Sequence, residues 1–195
     1  MSVSSEDVIR FALPDAEFNA ALTFGYHALT HAPREHDPLS QLIQVLMDEL
    51  AERMVLEWLH TNGKFAEPAS DKGATQPDTR HEIWVTDIRG TRVRAAIHTF
   101  LSTHKAEIPE ILQYHSLSVD SNQVCGINFS VSYWLRLREK PRVKFPSLNH
   151  AAIIGWASDK NFRETVQAHG GKPPKYVEIK FCDLRPASEL LQFLV

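Results

Sequence analysis

Cysteine is scarce in this chain. Its 195 residues include two, Cys125 and Cys182. That is too few, too far apart, for a disulfide framework or a Cys-x-x-Cys metal or redox site. Free thiols are expected. An excess of charge of one sign is also missing. The 21 Lys and Arg nearly balance the 24 Asp and Glu, leaving a formal net charge of −3. This excludes a histone-like protein that holds nucleic acid by bulk charge, but leaves a local basic groove open. No apolar run approaches the roughly 18 residues of a membrane span, so no membrane partner is expected. The start, Met1 to Asp7, is polar and acidic rather than a secretory leader. Internal repeats, low-complexity tracts and an HExxH motif are absent as well. With 43% hydrophobic and 23% charged residues, the composition is that of a folded globular chain, and a soluble cytoplasmic protein is expected.

What is present reads as alternating helices and strands. Residues 15–31 carry Phe18, Ala21, Leu22 and Gly25 at three- and four-residue spacing, a helical pattern. A longer helix is predicted from Pro38 to Asn62. Pro38 suits its first turn, and Gly63 suits the position after its end. Leu39, Ile43, Leu46, Leu50 and Met54 form one stripe, while Val45, Leu56 and Leu59 lie off it. A helix apolar on more than one side packs on several sides. Residues 66–80 form a loop rich in Pro, Gly and Asp. His81–Ile88 and Arg92–Leu101 read as a hairpin about Arg89-Gly90-Thr91. Further strands are expected at 124–138, 150–157 and 176–181, with helices after Pro109, from Asp159 to His169 and from Pro186 to Leu194. The order predicts an α/β fold with one mixed sheet flanked by helices. Residues 1–38 are expected as an N-terminal helical extension, and 39–195 as the domain proper.

Several segments resemble the PD-(D/E)xK nuclease superfamily, the restriction-endonuclease-like domains. Glu52-Arg-Met-Val-Leu-Glu-Trp-Leu-His-Thr-Asn-Gly63 is similar to the first helix of such proteins, an apolar helix with a glutamate and a terminating glycine. Pro77-Asp78 and the hairpin 81–101 follow, where the superfamily keeps its acid-x-lysine strand. Ile154 to Phe162 resembles a Gly-Trp turn of these domains, and Val177 to Leu191 resembles their terminal strand and helix. The likeness covers roughly residues 40–195. It implies a restriction-endonuclease-like sheet and a nucleic-acid-processing function: metal-dependent phosphodiester hydrolysis in defence, repair or mobile-element systems.

Such chemistry needs an activated water and relief of charge on phosphorus, which Mg²⁺ or Mn²⁺ supplies. Mg²⁺ prefers carboxylate oxygens. On the resemblance, Asp78 is the principal metal ligand and Glu52 a supporting ligand or water-orienting acid. The chain departs from the pattern at its centre. Ala96-Ile97-His98-Thr99 stands where acid-x-lysine is expected. Either the acid has migrated to Asp87 or Glu82, with His98 in place of the lysine, or the site has decayed. In the second case the domain is an inactive module that binds DNA or a protein partner within a larger assembly. A three-residue turn would set Glu82 opposite His98.

Each of these residues also has a plain structural use. Glu52 can be a helix-surface acid, Asp78 an Asx-turn former, Asp87 a strand terminator and His98 a satisfied, partly buried histidine. Glu49 has an i,i+4 partner in Arg53. His27 and His31, with His36-Asp37 following, could share zinc, or simply form a polar helix end. Arg136, Arg138, Lys140, Arg142 and Lys144 recur at every second residue. In an extended chain they form a ladder fit for a phosphate backbone, or a charged edge strand that resists pairing. Tyr133 and Trp134 before it suit base stacking or core packing.

Overall fold

The computed structural model describes residues 2–12, 15–31, 37–69, 81–102, 107–134, 148, 150–168 and 174–195. The elements are β1 (Ile9–Ala12), α1 (Asp15–His31), α2 (Pro38–Thr61), β2 (Ala66–Pro68), β3 (Glu82–Thr86), β4 (Arg92–Ser102), α3 (Ile108–Tyr114), β5 (Ser116–Asp120), β6 (Ile127–Trp134), β7 (His150–Ser158), α4 (Asp159–Ala168), β8 (Tyr176–Lys180) and α5 (Ala187–Leu190). Short 3-10 turns follow at Phe181–Asp183 and Leu191–Phe193. The fold is α/β. A mixed six-stranded sheet runs in the order β1-β7-β6-β4-β3-β2, flanked by helices, and β5 pairs with β8 in a separate ribbon. β4 and β6 are parallel, and every other adjacent pair is antiparallel. A parallel pair needs a crossover, and α3 and β5 lie within it.

α2 is the central helix. The Asp37 carboxylate caps it, accepting from the Ser40 amide at 3.0 Å, and Pro38 occupies its first turn. Leu46, Leu50, Met54, Val55 and Leu59 are buried against one face of the sheet, formed by Ile83, Val85, Ala95, Ile97, Phe129, Val131 and Tyr133. Trp58 meets Phe129 edge-on at 6.3 Å, and the Tyr133 hydroxyl donates to the Met47 carbonyl at 2.7 Å. Tyr133 is thus a core residue. Each large aliphatic side chain buried this way contributes about 1.5–3 kcal/mol. α1 covers the far side of α2, where Arg53 bridges Glu49 at 3.0 Å and Glu17 of α1 at 2.8 Å. The two-sided apolar pattern of α2 therefore has a physical cause: the helix lies between α1 and the sheet.

The opposite sheet face carries a second core. There Ala152, Ile154 and Ala157 of β7 pack against Ile108 and Ile111 of α3, Phe162 of α4, and Leu117, Val119, Val177 and Ile179 of the β5–β8 ribbon. Residues 1–38, expected as a helical extension, add β1 to the sheet through Ile9 opposite Ile153, as well as α1. Gly155-Trp156, which the resemblance sets in a turn, lies inside β7, the strand expected over 150–157. The terminal helix expected over 186–194 is one α-turn followed by a 3-10 turn, because Leu194 bridges to Asp87 beside β3.

Candidate functional site

The β3–β4 hairpin ends unevenly, and this builds the site. β3 begins at Glu82, while β4 runs on to Ser102. Beyond the last β3 contacts, where Ile97 N donates to His81 O at 2.9 Å, a polar cleft of about 380 Å³ opens around the β4 edge. Asp48 and Gln44 of α2 line it, as do His81, Glu82, Arg94 and His98 of the hairpin.

Successive residues of β4 point to opposite sheet faces. Thr99 therefore faces α2, and its hydroxyl donates to Asp48 in a short contact. Gln44 Nε2 donates to Asp48 Oδ1 at 2.9 Å. Behind this pair, Glu52 Oε2 lies 3.3 Å from His81 Nδ1, with both side chains buried. On the other face, Glu82 stands opposite Ala96 and Trp84 opposite Arg94. The expected pairing of Glu82 with His98 is thus shifted by two residues, because the loop between Thr86 and Arg92 spans five positions rather than three. A shift of two keeps both side chains on one face and leaves His98 diagonal to Glu82. Arg94 Nη1 lies 3.3 Å from Glu82 Oε2. Arg92 pairs with Glu67 and stacks over the Trp84 ring at 4.7 Å.

Glu52, Glu82 and His98 are thus gathered at one end of the hairpin. Asp87 is not. It lies at the opposite end of β3, about 16 Å along a strand of this rise. Its Oδ1 accepts from Arg89 N at 2.9 Å and Thr91 N at 2.7 Å. Those two amides need an acceptor in the tight turn, so Asp87 is a turn former rather than a site acid. Asp78, Arg136, Arg138, Lys140, Arg142 and Lys144 lie outside the described residues, as do His36 and the His31 side chain. Asp37, considered with the N-terminal histidines for zinc, is the α2 cap, and the exposed His27 meets Tyr26 edge-on at 6.4 Å.

The sequence reading missed Asp48, His81, Arg94 and Asn128. Asp48 had a usable signal: it precedes Glu52 by four positions, so the two share a helix face. His81 adjoins Glu82. Asn128 sits within an apolar strand and carries no such signal.

Electrostatics separate the groups. Burial raises the Asp48 carboxyl above its ordinary 3.8, against the opposing pull of His81, His98 and the Thr99 and Gln44 hydrogen bonds. Burial lowers His98 below 6.5, against Asn128, Asp48 and Glu82. Burial, with Glu82 nearby, raises the Cys125 thiol above 9.0, so Cys125 is not an activated thiolate. A carboxyl whose folded-state value is raised retains its proton better folded than unfolded. Asp48 therefore costs stability as pH rises above 3.8 through its folded value. Asp48→Asn is expected to be more stable than the parent at pH 7. That advantage disappears below pH 3.8, as read by urea denaturation at both pH values.

Among the described residues, no group of three or more His, Cys, Asp or Glu side chains could hold a metal ion. The donor chemistry agrees. Glu52 meets His81, Asp48 is tied to Thr99 and Gln44, and Glu82 to Arg94. These residues do not by themselves fit Mg²⁺ or Mn²⁺. No described helix is long and apolar enough to cross a membrane. The fold and cleft together define an α/β chain with a polar, acid- and histidine-lined corner between helix and hairpin. No family model, curated protein or solved structure matches this chain.

Proposed function

We propose that the chain is a restriction-endonuclease-like module that binds nucleic acid, DNA in the first instance, as a subunit of a larger assembly, and that its acidic corner serves recognition rather than hydrolysis. One observation carries this reading. The three corner acids are each engaged by a protein partner, while Ala96 and His98 replace the acid and the lysine. A carboxylate bound to a guanidinium must surrender it before taking a divalent ion, which costs the energy of the pair. The outward face of the hairpin supports nucleic acid as partner: Arg92 and Arg94, paired with Glu67 and Glu82, are still half exposed, and the Arg92 guanidinium stacks over the Trp84 ring. Guanidinium groups suit phosphates, and aromatic rings suit bases. The Arg136–Lys144 ladder would extend the track.

A second reading keeps hydrolysis. It is favoured by the place of Glu82 and His98 together on the lining of the cleft; on the resemblance, Asp78 would be the principal ligand. Asp78 and Glu52 would then hold Mg²⁺ or Mn²⁺, with Glu82 as substitute acid and His98 in the lysine position. The ion would supply an activated water and charge relief at phosphorus.

One assay decides. Purified protein is incubated with supercoiled and single-stranded DNA in Mg²⁺, Mn²⁺ or EDTA, and binding and cleavage are followed together. The expected result is salt-sensitive retention, weakened by Arg138→Glu with Arg142→Glu, and intact DNA in every metal. Metal-dependent nicking that vanishes in Glu52→Gln and Asp78→Asn would overturn the binding-only reading and establish the second. No retention at low salt, with no cleavage, would remove nucleic acid as partner.

A further inference from the structure

Asn128 lies wholly buried beneath the cleft, on β6, and its amide makes four contacts. Its Oδ1 accepts from the Cys125 amide at 3.2 Å, and its Nδ2 donates to the carbonyls of Cys125 at 2.7 Å and Ala157 at 3.4 Å. The fourth is His98 Nε2, 3.3 Å from Oδ1. Backbone groups decide which way this amide points. A backbone N–H only donates, and a carbonyl only accepts. Rotating the amide by half a turn would set Nδ2 against the Cys125 N–H, and Oδ1 against two carbonyl oxygens. Every backbone contact would become repulsive at a side chain wholly buried from solvent. The oxygen must therefore face His98. An oxygen acceptor requires a proton on Nε2, and a neutral imidazole then carries its lone pair on Nδ1.

We propose that Asn128 is a positioning residue that holds His98 as the Nε2–H tautomer, and thereby gives the cleft a neutral acceptor, Nδ1, for a ligand group that donates a hydrogen bond, such as a hydroxyl, an amide or a bound water. The carboxylates within electrostatic reach of His98 are Asp48 and Glu82. Both favour the imidazolium, and burial opposes it. With the ring neutral, the cleft accepts a donor rather than a second acceptor such as a bare phosphate oxygen. Binding of a phosphate backbone then falls to the arginines of the hairpin rim, and His98 reads the group beside it. The inference holds for either reading of the cleft, because it concerns the ring itself and not turnover.

The test is side-chain nitrogen NMR on the full chain at pH 7.5. The spectrum of His98, assigned by its loss in His98→Gln, is expected to show an unprotonated Nδ1, a protonated Nε2 and no Nδ1–H form. Asn128→Ala, which removes the oxygen, is expected to show both tautomers. Asn128→Asp, of the same shape, places a carboxylate at Nε2 and is expected to raise the proton affinity of His98 about tenfold. A predominant Nδ1–H tautomer in the parent protein would overturn the proposal whether or not any variant folds. So would a single Nε2–H tautomer that persists in a folded Asn128→Ala, or an unmoved titration in a folded Asn128→Asp. A failure of DNA binding leaves all three readouts intact, so the two proposals fail separately.

Discussion

Glu52→Ala is expected to lower the stability of the fold by about 3–5 kcal/mol, the usual cost of removing one member of a buried charged or charge-assisted pair. Glu52 is 1% exposed, and His81 is 8% exposed. Truncation strands the imidazole at the sheet edge with a void beside it. Glu52→Gln keeps the shape and one acceptor oxygen, and should cost under about 2 kcal/mol. The informative variant is the double one. Glu52→Leu with His81→Leu replaces both polar groups by apolar volume. It should recover most of the loss, since apolar residues of similar size often substitute for a buried pair at no cost. A double-mutant cycle in urea measures the coupling. A pair that two leucines replace without loss is retained for a reason other than stability, in agreement with a Glu52 that holds His81 at the cleft wall. Additive single losses would instead mean that each residue acts alone, and that the corner is no unit.

Gly155→Ala is expected to cost about 3 kcal/mol, the upper end for overpacking a core. A Cβ at residue 155 would stand 2.6 Å from the Arg185 carbonyl oxygen, 3.0 Å from Val3 and 3.1 Å from Leu184. The first contact is with backbone, and that backbone is held. Trp156 N donates to Arg185 O at 2.9 Å, and Arg185 N donates to Trp156 O at 3.0 Å. Neither β7 nor the segment at Arg185 can yield without losing this bridge. The Arg185 guanidinium, stacked on Trp156 at 4.5 Å and Phe193 at 5.3 Å, would move with it. Thermal denaturation should show the loss, and near-ultraviolet circular dichroism should report a loosened Trp156. Gly63→Ala is the contrast. There φ is +70° and nothing lies within 4 Å, so only the left-handed backbone opposes the change, at roughly 1–2 kcal/mol. Equal losses at the two positions would refute the steric account of Gly155.

Much of the architecture was legible beforehand because it is local. The first-turn proline and the apolar periodicity of α2, the turn glycine of the hairpin and the run rich in Ile, Phe, Val, Tyr and Trp in β6 are written in contiguous residues. The strands that escaped notice, β1, β2 and β5, are three to five residues long. Each is stabilised by a partner remote in sequence: Ile9 finds Ile153, and Ser116 finds Lys180. A segment that short has no period to detect. The site was legible in half. Glu52, Glu82 and His98 could be chosen because residue type and spacing suggest chemistry. Asp87 was misjudged because a carboxylate beside a glycine turn looks the same in sequence whether it serves a reaction or a pair of amides. Asp48 and His81 became site residues only when helix and hairpin met.

The linear chain by itself determined the class of fold, the central helix, the hairpin and the short supply of thiols, since these follow from composition and from periods of two and 3.6 residues. Tertiary structure alone decided which acids share a cleft, which partner each of them meets, and which nitrogen of His98 carries the proton. Those are questions of distance and orientation between residues tens of positions apart, and the backbone atoms of Cys125 and Ala157 answer the last one without any contribution from their side chains.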